Sequence, residues 1–251
     1  MKEKVFAITD IHGDYEAMLE LLKSWNPEEH QLVIMGDLCD RGPQSKECMM
    51  LAKKLVEEYG AIYLRGNHEQ MFLNYIYDLA NYSADGYIRN GGTETLESFL
   101  GEDIRLKMDD IDIGKLLIEK FGPLIEFIGR LPYFYEWGKY LFVHAGVNLG
   151  HKKEWNYSTP DDYLWSRSSF IEAKNATGRT IVFGHTPTYL ISRGFLHSLS
   201  GKKDDSVWMH DNKIGMDGGG IYGGTFHAIL FNPNEVEKVY SLKNEDDEIG
   251  N

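Results

Sequence analysis

Acidic and imidazole side chains recur in this sequence directly after short apolar runs. The residues that share this position are Asp10, His12, Asp37, Asp40, Asn67, His68, His144 and His185. Carboxylate, amide and imidazole donors without thiolates suit Mn, Fe, Zn or Mg better than a soft metal. If these side chains converge in the fold, their carboxylates repel one another, and bound cations are the simplest way to hold them together.

Each motif alone has an ordinary structural explanation. An isolated Asp-x-His is most often a surface loop, and Gly-Asn-His-Glu is compatible with a turn that carries a capping Asn. Asp40 and Arg41 alone could be a surface ion pair. The shared position after strand-like runs, rather than any single motif, favours one metal site. Two cations a few ångströms apart are the usual arrangement for hydrolysing phosphate esters.

The elements that must position these residues repeat one pattern three times in the first third of the chain. An apolar run ends in a polar loop that contains glycine, and an amphipathic helix follows. The three runs are Val5–Thr9, Leu32–Met35 and Ala61–Leu64. This repetition predicts parallel strands joined by right-handed crossovers. The three loops then lie at the carboxyl ends of the strands, where open α/β sheets bind ligands.

The remainder of the chain divides into a helical and a β-rich part. Residues from about 81 to 131 lack strand signals and predict a mostly helical insertion. Later strands are predicted at Tyr140–Val143, Thr180–Phe183, Ile214–Met216, Phe226–Phe231 and Val236–Leu242, with the last two antiparallel. Residues 1–242 are expected to form a single domain, and the acidic residues 243–251 a disordered tail.

Composition narrows the classes of partner. The 251 residues include 42% hydrophobic residues and carry a net charge of −13, which argues against non-specific binding to nucleic acid or anionic membranes. An anionic substrate stays compatible, because cations and arginines can reverse the field within one cleft. The two cysteines, Cys39 and Cys48, predict a reducing compartment, and no apolar run resembles a signal peptide or membrane span. We therefore expect a cytoplasmic monomer.

Taken in order, the motifs resemble those of the calcineurin-like metallophosphoesterases, and more narrowly of the phosphoprotein phosphatase family with its bacterial and phage members. They are Asp10-Ile-His-Gly, Gly36-Asp-Leu-Cys-Asp-Arg-Gly, Gly66-Asn-His-Glu, His144-Ala-Gly and Gly184-His-Thr. Five motifs in the order of the family make the resemblance specific. It implies an α/β fold with two packed mixed β-sheets flanked by helices.

The resemblance also implies a role for each motif residue. The implied ligands are Asp10, His12 and Asp37 for a first metal and Asn67, His144 and His185 for a second, with Asp37 bridging the two. His68 is the implied general acid, and Asp40 orients and charge-stabilises it. Arg41, Arg167 and Asn67 are expected to contact the phosphate. For the two arginines the physical reason is that guanidinium forks fit phosphoryl oxygens bidentately. Manganese is the expected metal, with iron, zinc and magnesium as alternatives.

The implied activity is that of a metal-dependent phosphomonoesterase, specifically a serine/threonine protein phosphatase that uses direct attack by a metal-bound hydroxide. Its substrate would be a phosphorylated protein or a small phosphoester. The alternative is a diadenosine tetraphosphate hydrolase, a class that shares these motifs. Such enzymes more often carry Asp where this chain has Glu69, which favours the phosphatase. A catalytically silent metal-stabilised binding module would lack a ligand or the acid, and none is missing.

Several residues and segments fall outside these motifs. The remaining histidines are interpreted as surface or core residues, with only the last two weighed for a site role: His30, His151, His197, His210 and His227. Gly218–Gly224 is interpreted as a tight turn that follows a candidate site neighbour, Asp217, and Asn90-Gly-Gly92 resembles a turn that borders the cleft in related phosphatases. Substrate specificity is expected in residues 81–131 and 188–213.

Overall fold

The computed structural model describes residues 2–150, 155–192 and 204–243. His151, His197, most of the predicted tail and part of the 188–213 segment lie outside the described residues. The strands are β1 Lys4–Ile8, β2 His30–Ile34, β3 Ile62–Tyr63, β4 Phe134–Trp137, β5 Tyr140–Val143, β6 Thr180–Phe183, β7 Trp208–His210, β8 Lys213–Gly215, β9 Thr225–Phe231 and β10 Val236–Lys243.

The helices lie mainly in the first two thirds of the chain. They are α1 Tyr15–Leu22, α2 Ser45–Tyr59, α3 Asn67–Tyr77, α4 Ala84–Tyr87, α5 Thr93–Leu100, α6 Ile104–Lys107, α7 Asp110–Ile128, α8 Pro160–Trp165, α9 Ser168–Ile171 and α10 Thr188–Ser192. A π-helical turn, Ile88–Gly92, joins α4 to α5, and a 3-10 turn, Gly220–Tyr222, precedes β9. None of the helices in the described ranges combines the length and apolar character that crossing a membrane requires.

The strands form two mixed sheets of five strands each. The first has the order β10-β9-β1-β2-β3, with β1, β2 and β3 parallel and β9 antiparallel to both β1 and β10. The second has the order β4-β5-β6-β8-β7, with β5, β6 and β8 parallel. This arrangement confirms the predicted α/β fold with two packed mixed sheets.

Alternation of side chains along β1 shows how the layers pack. Val5 and Ala7 belong to a core cluster shared with Phe142 and Val182 of the second sheet. Phe6 and Ile8, on the opposite face of the strand, belong to the cluster formed with α1, α2, α3, α5 and α7. Because successive strand residues point to opposite faces, one strand contributes to two cores. A third cluster packs the outer face of the second sheet against α8 and α9.

Sequence patterns missed two strands, and both lie at edges of the second sheet. β4 and β7 each have only one neighbouring strand. Their residues are mostly half-buried or exposed, with a single buried position, Trp137, in the two strands. An edge strand with one solvated face lacks the continuous apolar run that identified β5 and β6.

A buried lysine joins the second sheet to α9. Lys213 on β8 is 1% exposed, and its Nζ donates to the main-chain oxygens of Phe170 at 3.2 Å, Ile171 at 2.7 Å and Ala173 at 2.6 Å. Burial lowers the pKa of Lys213. The ammonium satisfies carbonyls of the last residues of α9 and of the segment that follows it.

We predict that Lys213→Met destabilises the protein by about 3 kcal/mol, because it leaves buried carbonyl oxygens without a charged donor. Lys174→Met is the control, since Lys174 is exposed on the same connection, and its effect should stay within about 0.5 kcal/mol. Chemical denaturation measures both. Equal stabilities of the two variants would show that the buried ammonium has no such role.

Candidate metal centre

Loops from both sheets meet at the carboxyl ends of their parallel strands. The backbone N–H of His12 donates to the Asp37 carbonyl at 2.9 Å, which joins the loops after β1 and β2. The backbone N–H of His185, after β6, donates to Asp10 Oδ2 at 3.0 Å, which joins the second sheet to the first. The Gly184 backbone lies so close to Asp10 that a Cβ atom there would overlap its carboxylate.

The Asp37 carboxylate lies at the centre of the assembled residues. Its Oδ2 is 3.4 Å from His144 Nε2, 3.6 Å from His12 Nε2 and 3.8 Å from His68 Nε2. Its Oδ1 accepts from the backbone N–H of His68, in the first turn of α3, at 3.0 Å. Two groups of side chains that can hold a cation share this residue: His12, Asp37 and His68, and Asp37, His144 and His185.

These groups overlap with the ligand sets expected from the sequence. The second contains three of the four residues assigned to the second metal, and the fourth, Asn67, places its Oδ1 2.9 Å from His144 Nε2. The first contains His68 where the resemblance implies Asp10. Asp10 Oδ1 is nevertheless 4.0 Å from His12 Nε2, so both carboxylates border the same space.

Main-chain carbonyls fix the orientation of two imidazoles. His12 Nδ1 is 2.8 Å from the Cys39 carbonyl oxygen, and His144 Nδ1 is 2.9 Å from that of Met35. A carbonyl can only accept, so each Nδ1 carries the hydrogen and each Nε2 is directed into the pocket. Metal-binding histidines are commonly held in this way by a second hydrogen bond.

Charge in the pocket is incompletely balanced by protein groups. Burial, together with nearby Asp37, raises the pKa of Asp10 to about 6. Burial lowers the pKa values of His12 and His185 well below the usual value, so both imidazoles are neutral. Burial also lowers the pKa of His144, but the Asp37 and Asp10 carboxylates outweigh it and raise that pKa to about 9. A proton on His144 therefore partly compensates the carboxylates in the absence of a cation.

Two observations show that the residues fit divalent cations. His185 Nε2 is buried and has no hydrogen-bond partner among the described residues, which leaves a lone pair directed at the pocket. Asn67 Oδ1 and Asp37 Oδ2 lie 2.9 Å and 3.4 Å from His144 Nε2. Electron-pair donors that face one another in a buried site require a proton or a metal ion between them.

Backbone strain is concentrated at this site. Six of its residues adopt positive φ values between 50° and 74°: Asp10, His12, Asp37, Asp40, Arg41 and His185. Such conformations cost on the order of 1–3 kcal/mol each and persist where the surrounding structure over-determines them. Here they turn the loops that follow β1, β2 and β6 sharply, so that the side chains enter the pocket.

The candidate acid, His68, is held by a second carboxylate. His68 Nδ1 is 2.7 Å from Asp40 Oδ2, and Asp40 is fully buried. The Tyr87 hydroxyl donates to Asp40 Oδ1 at 3.0 Å, and the Thr95 hydroxyl donates to the same oxygen at 2.6 Å. Sequence reasoning missed Tyr87 and Thr95, which lie in the helical segment that carried no interpretable motif.

Both candidate phosphate-binding arginines border the pocket. The Arg41 guanidinium contacts His12 Nε2 and lies 2.9 Å from His68 Nε2. Its backbone N–H donates to the Gly91 carbonyl at 3.0 Å, so Asn90-Gly-Gly92 does lie against this loop. Arg167 Nη1 donates to the His185 carbonyl at 3.2 Å. A cation on His12 Nε2 would compete with Arg41 for that lone pair.

Glu69 holds two loops of the site together, a role that the sequence motifs did not predict. It is fully buried, and its Oε2 accepts from the backbone N–H groups of Asp37 at 2.9 Å and Gly66 at 2.8 Å. Its Oε1 accepts from the Leu38 N–H and the Tyr63 hydroxyl, each at 2.8 Å. One carboxylate thus joins the loops after β2 and β3. Its spacing, three residues after Gly66, is the available sequence signal, because it is that of a capping box.

The other candidates divide as follows. His210 is exposed, and His227 is buried beside the Ser241 hydroxyl and the Asp205 carbonyl, so neither is among the grouped residues. Asp217 is buried, its backbone carbonyl accepts from the Thr188 N–H at 2.7 Å, and burial followed by the charge of Asp10 raises its pKa well above the usual value. His30 is buried and accepts from the Asn26 N–H through Nδ1. Cys39 is also buried, which raises the pKa of its thiol.

We predict that Glu69→Gln weakens Mn²⁺ binding by about 10- to 100-fold, the range typical for groups that orient metal ligands. The amide places N–H donors opposite donors and displaces the loop that carries Asp37. Tyr63→Phe is the matched control, since it removes one donor and leaves the carboxylate bonded to three amides. Calorimetric titration of the folded variants measures the affinities, and wild-type affinity in Glu69→Gln would refute the role.

Curated relatives include hydrolases of two kinds. The asymmetrical bis(5′-nucleosyl)-tetraphosphatase PrpE of Geobacillus sp. is 39% identical over 94% of this chain and 93% of its own length. A symmetrical bis(5′-nucleosyl)-tetraphosphatase of Methylobacillus flagellatus is 30% identical over 57% of this chain. Serine/threonine-protein phosphatase 1 of Salmonella typhimurium is 36% identical over 35% of it. These last two matches span 48% and 38% of the relatives, so the chain covers less than half of either.

Solved structures and a family model agree with the architecture. The crystal structure of a proposed diadenosine tetraphosphatase superposes with a TM-score of 0.65 at 18% identity, over 97% of this chain and 95% of the other, and therefore shares the fold. The model of the calcineurin-like phosphoesterases matches residues 3–216, which include every motif residue of the pocket. With its two packed sheets and its grouped Asp and His side chains, the chain belongs to the calcineurin-like phosphoesterase family.

Proposed function

We propose that the protein hydrolyses dinucleoside polyphosphates at a centre of two divalent cations that share Asp37. The observation that carries the two-cation centre is the position of the Asp37 carboxylate between two groups of potential ligands. Asp10, His12 and Asp37 would hold one cation, and Asp37, Asn67, His144 and His185 the other. We propose manganese as the first metal to test. Iron, zinc and magnesium are the alternatives that this ligand set also accepts.

Bound cations would lower the pKa of a water molecule towards neutrality and neutralise charge on the phosphoryl oxygens. The protein supplies the other requirements of the reaction. Arg41 and Arg167, at the border of the pocket, would hold the phosphoryl oxygens in position by charge-assisted hydrogen bonds. His68, oriented by Asp40, would protonate the departing oxygen from Nε2, the atom that the Arg41 guanidinium contacts here and would release on turning to the phosphate.

The preference for a dinucleoside polyphosphate rests on the extent of similarity. The Geobacillus relative, which matches nearly the whole chain, is named for hydrolysis of bis(5′-nucleosyl) tetraphosphates. The relative named as a serine/threonine-protein phosphatase matches 35% of the chain. Similarity over the whole chain includes the segments outside the motifs, where substrate specificity is expected to lie.

A serine/threonine protein phosphatase is the second candidate, and the 2.7 Å contact between His68 and Asp40 favours it. Serine and threonine leave as alkoxides, which need a proton in the transition state. A nucleotide leaves as a phosphate, which is a better leaving group and depends less on a general acid. The buried group formed by His68, Asp40, Tyr87 and Thr95 therefore accelerates the hydrolysis of a phosphomonoester more than that of a phosphoanhydride.

The proposal predicts that the Mn²⁺-loaded protein hydrolyses diadenosine tetraphosphate with a kcat/KM at least about tenfold above that for phosphoserine and phosphotyrosine peptides. Chromatography of the nucleotide products and release of inorganic phosphate measure the two reactions. A reversed order would establish the protein phosphatase instead. Absence of hydrolysis of any phosphate ester or anhydride with each of the four metals would refute both candidates.

The role of His68 predicts a dependence on the leaving group. His68→Asn should slow hydrolysis of alkyl phosphates such as phosphoserine by about 10²–10⁴, the usual contribution of a general acid. Hydrolysis of p-nitrophenyl phosphate should suffer much less, because nitrophenolate leaves readily without a proton. Asp40→Asn should show the same pattern in weaker form.

Metal analysis of the same variants separates an acid from a ligand. Wild-type metal content in His68→Asn supports the acid, whereas loss of one cation would assign His68 to the group it forms with His12 and Asp37. Equal rate losses on the two esters would also contradict the acid role.

A further inference from the structure

An open groove borders the loop that carries Arg41. It has a volume of about 1040 Å³, and Arg41, Gly42 and Pro43 are among its lining residues. Small-molecule sites commonly occupy about 300–1000 Å³, so the groove has room for more than a phosphate group. Its other lining residues come from α1, the Gly220–Tyr222 turn and the ends of β9 and β10.

One aromatic ring stands at the junction between the groove and Arg41. Tyr222 is 49% exposed, and the Arg41 guanidinium carbon lies 5.1 Å from the centre of its ring. The ring is carried by the glycine-rich segment after Asp217, where Gly219 and Gly223 have φ values of 72° and 74°. These left-handed positions, which favour glycine, form the tight turn that presents Tyr222.

The lining of the groove combines apolar, acidic and basic side chains. Ile221, Phe226 and Leu242 supply apolar atoms, Asp14, Glu16 and Glu20 of the α1 region supply carboxylates, and Lys243 supplies one ammonium group. Carboxylates repel a polyphosphate chain, which is instead attracted to Arg41 and the metal centre. They can accept hydrogen bonds from ribose hydroxyls and from the amino group of a purine. Together these features suit a neutral nucleoside whose phosphates point towards Arg41.

We propose that this groove is a nucleoside subsite in which a base of the substrate stacks against Tyr222. The proposal rests on the proposed hydrolysis of dinucleoside polyphosphates and gives it a specificity-determining residue. Stacking of a base on an aromatic side chain changes binding by about 1–3 kcal/mol on substitution by alanine, which corresponds to roughly 5- to 150-fold in Kd. Tyr222 contributes this increment to the nucleoside and acts on the phosphate only through Arg41.

The test compares two probes that resist hydrolysis: adenosine 5′-methylenephosphonate and methylphosphonate. Both present a phosphonate to Arg41 and the cations, and only the first carries a nucleoside. Calorimetry on the Mn²⁺-loaded protein gives the ratio of their Kd values, in which any effect exerted through Arg41 cancels. The wild type should bind the nucleoside probe at least about tenfold more tightly. Tyr222→Ala should reduce this advantage by about tenfold, and Tyr222→Phe, which retains the ring, should preserve it.

Three outcomes would overturn the subsite. The first is a ratio near one in the wild type, and the second is a ratio that Tyr222→Ala leaves unchanged. The third is that Tyr222→Ala weakens the binding of an arginine-rich phosphoserine peptide more than the binding of free phosphoserine, which would assign the groove to a peptide. Failure of the proposed function is distinguishable. In that case the probes bind with the expected ratios, but diadenosine tetraphosphate is not hydrolysed.

Discussion

The structure depends on the burial of carboxylates that have too few positive partners within the protein. Asp10 and Asp37 are at most 4% exposed, and neutral imidazoles of His12 and His185 lie beside them. Taking carboxylates out of water is unfavourable unless charge and hydrogen bonds compensate. The proton on His144 and the Arg167 guanidinium provide part of that compensation. Two divalent cations would provide the rest, so the same imbalance that limits stability creates affinity for metal.

Loops from both sheets position these carboxylates. Glu69 ties the loops after β2 and β3 through three backbone amides, and the His185 amide ties the second sheet to Asp10. Left-handed φ values at Asp10 and Asp37 turn the backbone so that both side chains enter the pocket. The strain and the buried charge are both offset by the hydrophobic packing of the two sheets. A rigid scaffold therefore maintains an arrangement that the loops alone would not adopt.

Predictability from sequence followed the range of the interactions. Motif residues follow apolar runs within a few positions, so the parallel strands and their meeting point were predicted from local patterns. Tyr87 and Thr95 reach Asp40 across 47 and 55 positions, and no local pattern encodes such contacts. The edge strands β4 and β7 were missed because their exposed faces interrupt the apolar run. Tyr222 lay in a segment that glycine content identified only as a turn, since nothing local indicates which side chain the turn presents.

The most direct test of the account is the position of bound metal relative to Asp37. Crystals of the protein soaked with Mn²⁺ should give two anomalous peaks, separated by roughly 3.5–4 Å as in other two-metal sites. Both peaks should lie within coordination distance of the Asp37 carboxylate. A single peak, or two peaks of which only one contacts Asp37, would contradict the shared carboxylate at the centre of the account.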